Sequence, residues 1–464
     1  MIKFIFISII SLLLFFNKVN AQTPNADSLQ QLLNGTLHYL VTTQFKADNK
    51  RGFKGEWYSG MKLSLGFPLL GSPAEYADAN CFTTASLHNE LSRIYLSDTV
   101  HYSFLKQTIN NSYQALQFYK NGNGYNFWRE YPVKYPLKKT DTVVMMRQPM
   151  SYRLKSRFMK KAANVMNDAD DTSLGYYAEL LQQQMNDSIV SKPLLPQLIS
   201  YRDEQRKNRH WYNIWNKDPR NSGAFMTWLG AEVETRHHSA VHTALHNLVF
   251  YLPVSKCYPG LNSPYIPYGT NDIDAVVNAN VLHALAEKGE TDSSRIIGNV
   301  AKYITAKIKR GNYKRTTVYY PNRYHLHTSV ARAYSSGITE LSEAVGLLTA
   351  DIIKQQRPNG SFKSRKKLNS SDRIQSTANV LYTLLHIGEF EKYKTKPVIE
   401  KALHYLLSQM KADPVQGVYW DGGVFFSGGT VVRNILQFKS DPNTTVTVSW
   451  CLMKMIELKK KNLL

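Results

Sequence analysis

Gln356-Arg357-Pro358-Asn359-Gly360-Ser361-Phe362 is the stretch whose reading decides the fold. It sits between two segments of helical periodicity, Ile338 to Gln356 and Gln375 to Gly388. The same phrase returns along the chain: a helical segment, often a Gln, then Gly-x-aromatic, a polar loop, and a second helical segment opening on Asp, Ser or Thr. Fixed-period self-similarity of this kind is read before any other feature, because each unit is one supersecondary element that needs its neighbours.

Six copies are legible. The first runs from Leu29–Gln44 through Gly55-Glu56-Trp57 to Phe82–Leu96. The second takes Phe104–Tyr119, Gly124-Tyr125-Asn126-Phe127 and a helix ending near Gln184. The third takes Leu194–Arg206, Gly223-Ala224-Phe225 and Ala275–Lys288. The last three are Ser294–Arg310 with His325–Gly337, Ile338–Gln356 with Gln375–Gly388, and Pro397–Met410 with Thr444–Glu457. Second helices such as Val380-Leu381-Leu384-Leu385 and Val446-Val448-Trp450-Leu452 are apolar over most of their circumference and belong inside. Pairs of this kind bury their faces only by stacking side by side. The expectation is an all-α fold, an (α/α)6 toroid of six helical hairpins, with the second helices as an inner ring whose N-termini share one rim.

The 464-residue chain carries a formal charge of +22, with 43% hydrophobic and 12% aromatic residues, which is the composition of a globular protein. Lys3, the apolar run Ile5–Phe16 and Val19-Asn20-Ala21 form a signal-peptide pattern over residues 1–21. Export is expected, with cleavage near Ala21 and a soluble periplasmic or extracellular product, residues 22–464, as one toroid domain carrying an insertion around 227–268. Basic clusters at Arg153–Lys161, Lys307–Arg315, Lys363–Lys367 and Lys459–Lys461 favour an anionic neighbour, a membrane surface or an acidic glycan, and not nucleic acid for an exported chain. Cys81, Cys257 and Cys451 make no Cys-x-x-Cys pair and no disulfide framework. Ring closure would bring Cys81 and Cys451 onto adjacent inner helices, where one bridge is conceivable.

The run Asn167-Asp168-Ala169-Asp170-Asp171-Thr172-Ser173 heads the second inner helix. Two readings stand. In the first, Asp170 or Asp171 caps the helix by accepting from its free backbone N–H groups, and carboxylates suit the positive end of the helix dipole. Alternatively, three carboxyls this close do not all ionise easily, so one retains a proton near neutral pH and serves as an acid.

Gln356-x-x-x-Gly360-x-Phe362, with looser versions at Gln44–Trp57 and Gln409–Trp420, resembles the Gln-and-Trp repeat of the terpenoid cyclase and protein prenyltransferase superfamily. Within it, Asp168-Ala169-Asp170-Asp171-Thr172 is similar to the Asp-x-Asp-Asp signature of class II terpenoid cyclases. The resemblance implies a proton-initiated cyclase or isomerase of an isoprenoid or similar apolar substrate. Asp170 would be the general acid, Asp168 and Asp171 would set its acidity, and no cofactor would be needed. Aromatic residues on the inner helices, Tyr176, Tyr177, Tyr334, Tyr382 and Trp450, would face the developing cation.

Other residues support other chemistry. Tyr324 and His325 open the fourth inner helix at the same rim as Asp272 and Asp274 of the third; Tyr324 and His325 with the carboxyl pair Asp170 and Asp274 make a set suited to a lyase or hydrolase of acidic polysaccharide. In the insertion His238, His242 and His246 recur every fourth residue; two such imidazoles plus a third ligand hold zinc, but the Glu of a His-Glu-x-x-His protease helix is absent, and no metal is expected. Three functions are therefore carried: a cyclase-like isomerase or lyase, a glycan-active enzyme, and a non-catalytic binding toroid. All three take a small molecule or glycan in a central cavity.

Overall fold

A computed structural model describes residues 24–64, 74–134, 143–151, 165–186, 188–204, 221–229, 273–311, 317, 319–364, 368–428 and 436–464. Its principal helices alternate as first and second members of pairs: α1 (Ala26–Thr43), α2 (Cys81–Ser97), α3 (Lys106–Leu116), α4 (Ala169–Met185), α5 (Leu195–Leu198), α6 (Ala275–Glu287), α7 (Ser294–Lys309), α8 (Tyr324–Ser335), α9 (Ser342–Gln355), α10 (Asp372–Ile387), α11 (Lys396–Ser408) and α12 (Asp441–Lys460). The even-numbered helices pack α2 on α4, α4 on α6, and so on to α12, which packs back on α2. The odd-numbered helices lie against them: α3 touches α2 and α4, α11 touches α10, and α1 packs on α12 across the point where the chain's two ends meet.

The Gly-x-aromatic phrase has a repeated physical job. The backbone N–H of its aromatic residue, or of Trp420 one residue later, donates to a polar side chain in the first turns of the partner helix: Tyr125 to Thr172 Oγ1 (3.0 Å), Phe225 to Asn278 Oδ1 (2.8 Å), Phe362 to Thr377 Oγ1 (3.0 Å) and Trp420 to Thr445 Oγ1 (3.2 Å). The Gln is a staple between pairs. Gln44 Nε2 donates to the Gly55 carbonyl at 3.0 Å and to Thr108 of α3 at 2.8 Å; Gln356 Nε2 does the same to Gly360 (3.3 Å) and to Val398 of α11 (2.9 Å). Each staple ties a carbonyl of its own turn to one in the first helix of the next pair. Gly360 adopts φ +81°, and a Cβ there would run into the Lys401 carbonyl, so this position needs glycine.

The all-α expectation is corrected by a four-stranded antiparallel sheet in the order β2-β1-β10-β9, built from β1 (Ser59–Leu63), β2 (Glu75–Asp78), β9 (Val424–Gly428) and β10 (Leu436–Lys439). Strands β3 to β8 form three separate hairpins: Lys120–Asn121 with Gly124–Tyr125, Glu130–Lys134 with Val143–Arg147, and Lys411–Asp413 with Gly417–Tyr419. The sheet uses the loops of the first and last pairs, with Met61 opposite Phe438 and Gly60 opposite Lys439, so main-chain hydrogen bonds tie the two ends of the chain together. Its strands carry Val424, Phe425, Phe426 and Phe438, residues suited to a half-buried pleat.

The third pair departs most from the repeat. The helix expected over Leu194–Arg206 is a single turn, α5, followed by a 3-10 turn at Ile199–Tyr201, after which Arg202 is extended and bridges Phe225. Pro196 lies in the first turn of α5, where it is tolerated, and the free N–H groups of Leu194 and Leu195 donate to the Glu290 carboxylate at 2.8 and 2.7 Å. Cys81 and Cys451 are both buried and both free, so the bridge considered between them is absent. Residues 1–21 and nearly all of the insertion, including His238, His242 and His246, lie outside the described residues. Among those described, no helix is long and apolar enough to cross a membrane.

Candidate functional site

The Asp run separates into three roles at the N-terminus of α4. Asp168 is the N-cap, its Oδ1 accepting from the Asp171 backbone at 2.8 Å. Asp170, 5% exposed, accepts from Asn280 Nδ2 of α6 at 2.8 Å on one oxygen and from the Tyr320 hydroxyl on the other. Asp171 is buried against the Cys81 thiol of α2. Burial pushes all three carboxyls up. Asp168 reaches about 7, first through burial and then through the charge of Asp170. Asp171 rises well above the carboxylate range through burial and then the charge of Asp168. The rise at Asp170 is opposed by its two donors and by the Arg332 charge.

Asp274 is also an N-cap, accepting from Val276 (2.7 Å) and Val277 (3.3 Å) of α6 and from the Tyr319 backbone at 3.2 Å. Because Tyr319 reaches Asp274 and Tyr320 reaches Asp170, the segment before α8 brings both acids to one rim. Asp274 is nonetheless turned into its own helix end. Asp272 lies outside the described residues.

Inside the ring is a cavity of about 70 Å³ lined from α2, α4, α6, α8, α10, α12 and Tyr320. Its wall is mostly polar: Ser86, Asn89, Glu90, Asn280, His325, Thr328, Ser329, Arg332, Gln375, Asn379, Asn443 and Thr447 outnumber Phe82, Leu174 and Val446. Among the described residues, four buried polar atoms on side chains of that wall have no hydrogen-bond partner: Asn89 Oδ1, His325 Nε2, Arg332 Nε and Asn379 Nδ2. Glu90 is different. It accepts from Tyr382 OH at 2.6 Å and pairs with Arg93 at 3.1 Å, and Arg93 lies over the Trp450 ring at 4.9 Å. His325 is held down to about 3 by burial, a neutral imidazole whose ring lies 5.5 Å from that of Tyr320.

Of the aromatic residues expected at the cavity, only Tyr382 lines it. Trp450 stacks on His386 at 4.1 Å beneath that wall, Tyr177 packs against His283 at 4.8 Å, and Tyr176 donates to the Asn123 carbonyl at 3.0 Å. Tyr334 points to Glu389, 2.6 Å away. Tyr324 is fully buried against Phe362, and the tyrosine at the rim is Tyr320, four residues earlier. The sequence offered no local signal for Tyr320, which lies in a loop. Asn280 did leave one: with Asn278 it interrupts the apolar run Ala275–Leu285, as an amide buried for a purpose does. No three His, Cys, Asp or Glu side chains gather as a metal site among the described residues.

No protein-family model matches the chain, and no curated protein sequence matches it. Among solved structures, the type II terpene cyclase MstE from Scytonema in its apo form is similar over 93% of this chain and 99% of its own, with TM-score 0.50 and 14% identity. A variant of MstE in complex with geranylgeranyl dihydroxybenzoate covers 93% and 99%, with TM-score 0.50 and 12% identity. Cellobiose 2-epimerase from Bacillus thermoamylovorans covers 92% and 99%, with TM-score 0.48 and 12% identity. At such identities the likeness is one of architecture, and the chain has a terpenoid-cyclase-like toroid fold.

Proposed function

We propose that this chain is an exported (α/α)6 toroid of six hairpins, the third with a shortened outer helix, and that it is a glycan-active protein binding a polyhydroxylated ligand in its central cavity. The observation that carries the reading is the polar wall of that cavity, where Asn89, Asn280, His325, Arg332, Gln375 and Asn379 stand against Phe82, Leu174 and Val446. Native proteins pair their buried polar groups, and each one left unpaired costs roughly 1–3 kcal/mol. A hydrocarbon in this cavity would take water from these side chains without replacing its hydrogen bonds, whereas sugar hydroxyls donate and accept at once. Titration calorimetry against short neutral and acidic oligosaccharides and against polyprenyl compounds tests the reading. Binding of a polyprenyl compound with no response to any oligosaccharide refutes it.

A second reading, the class II cyclase, is favoured by the Asp-x-Asp-Asp-Thr run at the head of α4 beside the cavity. Asp170 would then be its acid, yet the carboxyl accepts two hydrogen bonds and leaves the wall to Tyr320 and Asn280. Turnover of a polyprenyl substrate that Asp170→Asn abolishes would establish it over the glycan reading. Export and an anionic membrane or glycan neighbour rest on the N-terminal pattern and the basic composition; sequencing of the secreted protein should begin at Gln22.

A further inference from the structure

We propose that the ligand of the central cavity is anionic, an acidic sugar whose carboxylate or sulfate seats on Arg332. The inference rests on the glycan reading of the cavity and narrows it to a charge class.

The argument begins with α8. His325, Thr328, Ser329 and Arg332 fall at helical spacing and all line the cavity, so one stripe of this helix faces the ligand. Arg332 closes that stripe in the last turn. Its guanidinium makes no ion pair among the described residues, and its Nε is buried without a hydrogen-bond partner.

The nearby acids are already committed. Glu90, the carboxylate of the wall, is held by Arg93 and by the Tyr382 hydroxyl. Asp170 lies behind Tyr320 and takes its hydrogen bonds from Tyr320 and Asn280. The two imidazoles beneath the cavity, His283 and His386, are kept neutral by burial and by the charges of Arg93 and Arg332. Arg332 is thus the cation of the wall whose hydrogen bonds no acid takes. A planar guanidinium presents a fork that matches the two oxygens of a carboxylate or sulfate.

The test is titration calorimetry of the full chain with three oligosaccharide sets of equal length: uronate-containing, sulfated and neutral. Wild type should bind one of the two acidic sets at least roughly tenfold more tightly than the neutral set, and which one it binds identifies the anion. Arg332→Gln should weaken that binding roughly tenfold to hundredfold and should weaken binding of the neutral set by far less. Arg332→Lys, which keeps the charge and loses the fork, should fall between them and provides the readout if the glutamine variant melts early. Equal wild-type affinity for neutral and acidic sets, or undiminished acidic binding by Arg332→Gln, overturns the anion site and leaves the glycan reading standing. No binding by any set overturns both.

Discussion

Pairing Tyr320→Phe with Asp170→Asn in a double-mutant cycle probes the contact on which the rim is built. Asp170 is buried and takes two donors, the Tyr320 hydroxyl and Asn280 Nδ2. Removing the hydroxyl leaves the carboxylate with one donor, and a hydrogen bond to a charged group contributes about 1.5–3 kcal/mol. Asparagine at 170 keeps one acceptor but turns its amide toward the other donor, while relieving the burial of a charge, so the two effects of that single change oppose each other. The cycle cancels these side effects and isolates the pair, for which we expect a coupling of about 1.5–3 kcal/mol at pH 7. Urea unfolding followed by tryptophan fluorescence measures it from four midpoints at constant slope. Additivity to within about 0.5 kcal/mol would mean that the hydroxyl and the carboxylate do not meet, and the account of the rim would fall with it.

Asp78 is buried, accepts from Trp128 Nε1 and Asn80 Nδ2, and is pushed up to about 7 from its ordinary 3.8 by burial. Its folded value lies above its unfolded one, so its contribution is greatest below about pH 4 and falls by about 1.4 kcal/mol per pH unit up to about pH 7. Asp78→Asn should lack that slope; parallel wild-type and variant stability curves from pH 4 to 7 would contradict the assignment. Gly360→Ala should lower stability by more than about 1 kcal/mol in thermal or urea melts, because φ is +81° and the Lys401 carbonyl stands where the methyl would go. Gln356→Ala should cost about 1–3 kcal/mol, since two carbonyls lose a donor, and should leave oligosaccharide affinity unchanged. Peptide mapping of the unreduced protein should find Cys81 and Cys451 unlinked, and neither thiol should react before unfolding.

The helical skeleton was legible because period and punctuation agree. Gly360-Ser361-Phe362 and its copies mark where one helix stops and the next is engaged, and the expected ends of α6, α7 and α10 lie within about three residues of those observed. The cap was legible in kind but not in place: the sequence points to Asp170 or Asp171, whereas Asp168, just ahead of the helix, accepts from the Asp171 backbone. The sheet was not legible, since β1 and β10 mean little apart and pair only once the two chain ends are neighbours. The cavity wall was misjudged through composition. The inner helices are buried almost all round, which made them look uniformly apolar, but Asn280, Gln375 and Asn379 form a polar stripe within them. Tyr320 was invisible because its partner Asp170 is 150 residues away, and no local pattern encodes such a meeting.

The pairing of Gly60 with Lys439 also bears on how such a molecule comes into being. A chain that emerges N-terminus first must keep the flank of α1 and the edge of β1 open until its final hairpin and α12 arrive. Loop-closure entropy grows only about 0.6 kcal/mol for each doubling of length, so this long wait burdens the finished ring little. It slows assembly instead, because the joining contacts are the most distant in sequence. A chain stopped before Val424 would keep most of its helices yet expose a strand edge and the apolar side of its first helix, and it should aggregate where the full chain stays monodisperse.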